Sequence, residues 1–232
     1  MSLVFRLGYR DGAWVDKATG KTVYEKLDGS TSYITTCPGV FGVAPKFLVN
    51  SYYYGYLYSA DSLDYAFGTG DFTMSVWAKP SLGCCDNGQR YLYQDHSAGT
   101  PILNFMYYAG GSNHYIQFNA GVYGGDYCSV YFHLSGDMTP NRWTHVELCR
   151  DYGGEDFMCF VDGVRITDRE IVYTGTYTTG FSMPDCNGSI MIGLADNFSS
   201  PLDDLRIYKG ECLHTTSFNP SYPGLLPGFQ VL

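Results

Sequence analysis

A chain of 232 residues with 14 Lys and Arg against 23 Asp and Glu has a formal charge of -9, and only 16% of its residues are charged. It offers no basic face to nucleic acid or to an anionic membrane, and no apolar run long enough to insert into a bilayer. The length suits one core that buries roughly 70% of the unfolded surface. With 22 Tyr, 14 Phe and 28 Gly, the composition favours strands and tight turns over surface helices.

The N-terminal "MSLVFRLGYRDG" breaks its apolar residues with Arg6, Arg10 and Asp11, which is not the pattern of a signal peptide. Synthesis and folding in a host cytoplasm are therefore expected. Leu3–Leu7 reads as the first strand and Thr31–Thr36 as another. "NSYYYGYLYS" then places Tyr52, Tyr53, Tyr54, Tyr56 and Tyr58 in a window of seven positions. On an unbroken strand Tyr52, Tyr54, Tyr56 and Tyr58 share one face and Leu57 the other, so the Leu57 side faces the core. The four phenols then form an exposed row suited to an interface, unless Gly55 introduces a bulge and reverses the phase.

"DFTMSVWAKP" alternates Phe72, Met74, Val76 and Ala78 against Thr73, Ser75, Trp77 and Lys79, the mark of a strand with two unlike faces. Strands are expected at Arg90–Gln94, Ile102–Tyr108, Tyr115–Asn119, Tyr127–Leu134 and Thr144–Arg150, with Gly-rich connectors between. Phe157–Val161 and Val164–Thr167 flank Asp162-Gly163, a type I′ hairpin signal because both turn residues take positive φ. Ser189–Leu194 and Asp203–Tyr208 complete the series, and "ECLHTTSF" is the one place for a short helical turn. Strand Trp77 and Trp143 read as packing residues, His145 as a hydrogen-bonded strand histidine, and Asp203 or Asp204 as the ion-pair partner of Arg206. Residues 1–220 are expected to form one domain. The segment 221–232, with its prolines and glycines, reads as a tail, either a strap on the domain or an apolar docking peptide.

Eight cysteines (Cys37, Cys84, Cys85, Cys128, Cys149, Cys159, Cys186 and Cys212) could make four bridges. A reducing compartment and a large core instead predict mostly free thiols. None of their spacings matches a zinc site. Of the groupings suited to a sugar, "YLYQDH" places Tyr91 and Tyr93 on one face, with Gln94 and Asp95 at its end. "FMYYAGGSNHYIQFN" adds Tyr107, Tyr115, Gln117 and Asn119, the last three alternating on one strand face. Rings stack on sugar faces, and amides and carboxylates meet the hydroxyls.

Three segments in order resemble the laminin-G-like branch of the concanavalin A-like lectin/glucanase superfamily. They are "FGTGDFTMSVWAKP", "NRWTHVELCRDYGGEDFMCFVDGVRI" and "SIMIGLADNFSSPLDDLRIYKGECLHTTSFNPS". The resemblance implies an all-β, two-sheet antiparallel jelly-roll sandwich. The closing segment is most similar to versions in bacteriophage structural proteins, which implies a virion protein. Glucanases of this fold carry Glu-x-Asp-x-x-Glu on one strand, and no pair among Glu25, Glu147, Glu155, Glu170 and Glu211 has that spacing. Glu155 and Asp156 are adjacent and so point to opposite faces. Catalysis is therefore not expected and no cofactor is required. The resemblance admits a calcium ion, for which Asp61, Asp64, Asp71, Asp95, Asp126 and Asp196 are loop candidates without the dense spacing of a self-contained site. Two functions compete: a glycan-binding adhesion module of a virion, and a structural decoration protein that binds other virion chains or a second copy of itself.

Overall fold

The computed structural model describes residues 2–27, 33–48, 55–81, 88–95, 101–122, 125–186, 188–194 and 200–220, with the backbone alone at Asp95, Pro101 and Ile102. The N-terminal third contains β1 (Ser2–Arg10), β2 (Ala13–Asp16), β3 (Tyr24–Leu27), β4 (Tyr33–Pro38), β5 (Val43–Leu48) and β6 (Gly55–Ser59). A single turn of 3-10 helix, Leu63–Tyr65, is the one helical element among the described residues, and none of their helices is long and apolar enough to cross a membrane. Then come β7 (Phe72–Ala78), β8 (Gln89–Asp95), β9 (Pro101–Gly110), β10 (Asn113–Val122) and β11 (Tyr127–His133). The chain continues through β12 (Thr144–Asp151), β13 (Asp156–Val161), β14 (Val164–Ile166), β15 (Arg169–Thr174), β16 (Ile190–Ile192) and β17 (Leu202–Lys209).

Two antiparallel sheets face each other as a jelly-roll sandwich. One has the order β14-β13-β12-β7-β17-β1-β2, the other β15-β11-β10-β9-β8-β16-β6-β3, and β4-β5 form a separate ribbon. Their inner faces meet in a core that includes Phe5, Phe72, Met74, Val76, Leu148 and Phe157 from the first sheet. Leu57, Leu92, Phe105, Phe118, Val130 and Ile192 come from the second. The two-residue alternation read in the sequence decides which side chains enter it. The hairpin forms as its turn chemistry requires, with Asp162 at φ 49° and Gly163 at φ 75°.

Some expectations need correction. "ECLHTTSF" is not helical: residues 211–218 run extended over the outer face of the seven-stranded sheet. Their backbone groups are taken by Thr73 and Gly163, partners distant in sequence that outcompete a local turn. Trp143 lies just before β12 rather than within it. Gly55 opens β6 without a bulge, since β3 pairs with it in unbroken register from Tyr24↔Tyr58 to Leu27↔Gly55. The tail 221–232, with Tyr52, Tyr53, Tyr54, Cys84 and Cys85, lies outside the described residues.

Candidate functional site

The outer face of the eight-stranded sheet collects most of the sequence-predicted groups. Register carries one row across it from edge to edge: Tyr24, Tyr58, Met191, Tyr93, Asn104, Asn119, Ser129 and Val172. A second row follows two residues along, with Arg90, Met106, Gln117, Tyr131 and Glu170, and a third holds Tyr108, Tyr115 and His133. Tyr93, Tyr115, Gln117 and Asn119 are therefore brought onto one sheet face, as the alternation predicts, although Asn119 is buried there at 6% exposure.

At one end of this face the rings form a cluster. Tyr108 and Tyr115 stack with centroids 4.8 Å apart and planes at 13°. Tyr131 meets Tyr115 edge-on at 5.3 Å, and His133 does so at 6.3 Å. Burial, followed by the neighbouring phenols Tyr108 and Tyr131, raises the Tyr115 hydroxyl above its usual range, so it stays a neutral donor and acceptor. Toward the middle, Gln117 Nε2 donates to Asn119 Oδ1 at 3.0 Å, orienting both amides. The Arg90 guanidinium lies 5.3 Å from the centre of the Tyr93 ring. Beside it, Arg90 Nε and Asn104 Oδ1 are buried with no hydrogen-bond partner among the described residues. A buried donor and acceptor without partners each carry a desolvation cost.

Other sequence expectations fail here for a definite reason. Tyr107, expected at the sugar surface, is a core residue with 1% exposure. It pairs with Ile116 on β10, which faces inward, and its hydroxyl donates to Asp137 Oδ1 (3.1 Å) and accepts from the Met138 N–H (3.0 Å). Tyr91 does not share a face with Tyr93. A bulge between Arg90 and Leu92 turns it inward, against Phe105. Gln94 also points inward and is consumed by Asp61 and the Gly188 carbonyl. The Asp95 side chain lies outside the described residues. Arg90, Asn104, Tyr108 and Tyr131 were not read as site residues. Alternation along β9 was the available signal, because Asn104, Met106 and Tyr108 share one face and Phe105 and Tyr107 the other.

Of the interface candidates, Tyr56 and Tyr58 lie on the outer face but are half-buried rather than exposed, while Leu57 faces the core as the alternation predicts. Tyr58 stacks on Tyr24 at 5.4 Å and Lys26 Nζ lies 5.8 Å from the Tyr56 ring centre, while Tyr52 and Tyr54 lie outside the described residues. An open groove of about 440 Å³ borders the His133 end of the face, lined among others by Asp137, Arg142, Asp162, Arg165 and Asp168. No group of three or more His, Cys, Asp or Glu among the described residues could hold a metal ion. Of the calcium candidates, Asp71 accepts the Tyr152 N–H and Asp126 accepts from Thr176, so both carboxylates serve loop structure, while Asp196 lies outside the described residues.

A two-sheet jelly roll with an aromatic and amide-lined sheet face defines a lectin-like sandwich. The chain belongs to the Laminin G 3 family of the Concanavalin A-like lectin/glucanases superfamily, whose model matches residues 51–215. Among solved structures it is similar to domain 4 of AbnA, a GH43 extracellular arabinanase from Geobacillus stearothermophilus, solved with arabinotriose. The TM-score is 0.63 at 15% identity over 91% of this chain and 94% of that one. It is also similar to the binding domain of botulinum neurotoxin serotype G, with TM-score 0.63, 13% identity, and 92% and 49% coverage. The binding domain of Paraclostridial Mosquitocidal Protein 1 gives TM-score 0.60, 15% identity, and 92% and 50% coverage. The chain thus spans about half the length of these toxin domains. At these identities the likeness is one of fold. No curated protein sequence matches the chain.

Proposed function

We propose that the protein is a non-catalytic glycan-binding module that holds a saccharide on the outer face of its eight-stranded sheet. The observation that carries this reading is the gathering of rings and an oriented amide on one sheet face: Tyr115 stacked on Tyr108 and met edge-on by Tyr131, with Gln117 and Tyr93 in the adjoining rows. Rings take the apolar face of a sugar and the polar atoms fix its hydroxyls. The fold likeness to an arabinanase domain solved with arabinotriose supports the same class of ligand. Glycoside cleavage needs two carboxylates about the scissile bond. Among the described side chains that the strands of this sheet direct to its outer face, Glu170 is the sole carboxylate, since Glu25 on β3 pairs with the inward-facing Leu57. From the resemblance that the closing segment of the sequence bears to bacteriophage structural proteins we further infer a place in a virion, with attachment to cell-surface polysaccharide as the task and synthesis in the host cytoplasm.

The exposed Tyr24, stacked on Tyr58 at the sheet edge, favours a second reading in which this face binds another virion chain or a second copy. Screening on a glycan array, with affinity measured for any hit, separates the two. Tyr115→Ala is expected to weaken glycan binding by tenfold or more, since an aromatic anchor contributes about 2 kcal/mol or more at an interface. Absence of any glycan binding, together with concentration-dependent self-association abolished by Tyr24→Ser, would overturn the first reading in favour of the second.

A further inference from the structure

On the opposite sheet, the extended strap 211–220 covers a small second cluster of Cys149, Met158 and Phe160, against which Cys212 and Phe218 pack. Thr73 is the hub of this contact. Its Oγ1 donates to the Glu211 carbonyl (2.9 Å), accepts the Leu213 N–H (2.9 Å) and lies 3.4 Å from Cys149 Sγ. One hydroxyl thus holds the residues on both sides of Cys212 directly over Cys149. Cys212 packs against the cluster that holds Cys149, and its Sγ donates to the His214 carbonyl at 3.4 Å. His214, stacked on Phe218 at 3.5 Å, reaches Glu147 Oε1 at 2.6 Å, and the same oxygen is 3.3 Å from Cys149 Sγ.

We propose that Cys149 and Cys212 are a disulfide-forming pair, which a small-molecule disulfide oxidises so that the strap is bonded covalently to β12. Cys212, half-exposed, is the attacking thiol. The neighbouring Cys149 thiol holds it below the ordinary thiol range, whereas the Cys212 thiol and burial hold Cys149 above it. The Cys212 thiolate attacks the small disulfide, forming a mixed disulfide and expelling one small thiolate. Cys149 then passes its proton to the Glu147 carboxylate, which burial makes more basic than usual. The new thiolate attacks Cys212 Sγ, and the second small thiolate leaves. Two protein thiols lose two electrons and two protons, and the oxidant takes up both as two small thiols. Cys128 and Cys159 are buried, with thiols pushed up by burial, Cys128 to about 12, and stay reduced.

The test uses the full reduced chain incubated with oxidised glutathione, followed by non-reducing peptide mass spectrometry. A peptide bridging Cys149 and Cys212 is expected, with a rise in Tm of about 5 °C or more that dithiothreitol reverses. Cys149→Ser is expected to stop at glutathione on Cys212, because the resolving thiol is gone, and Cys212→Ser to take up no bridge at this site. If Cys149→Ser does not fold, the time course of wild-type masses reads the same intermediate. Glutathione remaining on Cys212 of the folded wild type, or a bridge between other cysteines in its place, would overturn the proposal.

Discussion

Arg150 and Asp156 form an ion pair inside the sandwich, Nε to Oδ1 at 2.9 Å, with side-chain exposures of 0% and 5%. The guanidinium also donates to the carbonyls of Gly68 and Phe181 and lies against the Phe157 and Phe181 rings. Asp156 in turn accepts from Tyr173 on β15, so the pair links the two sheets. Arg150→Ala is expected to destabilise by about 3–5 kcal/mol, because it strands a buried carboxylate. Urea unfolding measures this, and a loss below about 1 kcal/mol would show the pair to be dispensable.

Tyr107 and Tyr108 are consecutive yet play opposite parts. Tyr107→Ala should cost about 3–5 kcal/mol, the range for a large aromatic removed from a core. Tyr108→Ala should cost about 1 kcal/mol or less while weakening the stack on Tyr115 and any ligand held there. Thermal melts of the two variants beside glycan-binding measurements separate core from surface.

Acid should act through His145, whose imidazole is pushed down to about 4 by burial first and then by Arg206 and His214, against the opposing pull of Asp204. Unfolded, it binds its proton at about 6.5. Its contribution to stability is therefore complete above about pH 6.5 and lost as pH falls toward 4, about 3 kcal/mol in all. Glu147 works in the opposite sense: burial raises it, so its contribution is present at low pH and lost as pH rises through its folded value. His145→Gln removes only the first effect. The difference in unfolding free energy between pH 7 and pH 4.5 should shift in favour of pH 4.5 in this variant. An unchanged difference would mean that His145 does not titrate with folding.

Much of the fold was legible because local pattern and tertiary structure agree. The alternation in Phe72–Ala78 and in Tyr115–Asn119, and the Asp162-Gly163 turn, each follow from short-range geometry. The candidate site was legible only along single strands. Tyr115, Gln117 and Asn119 were found because one strand holds them all. Arg90 and Asn104 were not, since their adjacency to Tyr93 depends on a bulge and on register between β8 and β9. The bulge also sends Tyr91 inward, which alternation alone would never predict. β15 (Arg169–Thr174) was likewise not expected, being an edge strand whose order comes from pairing with β11. Ion pairing was read correctly for Asp204, which binds Arg206 and Arg6, whereas Asp203 instead accepts the Phe41 N–H.

Gly163 serves two distant parts of the chain at once. Its positive φ lets β13 turn into β14, and a Cβ there would lie 2.0 Å from the Phe218 carbonyl oxygen. Phe218 is seated by its own N–H on the Gly163 carbonyl at 2.8 Å. Any side chain at this position would thus open the hairpin and unseat the strap together, so a single point change propagates to the far end of the domain. The turn is the latch plate against which the strap closes.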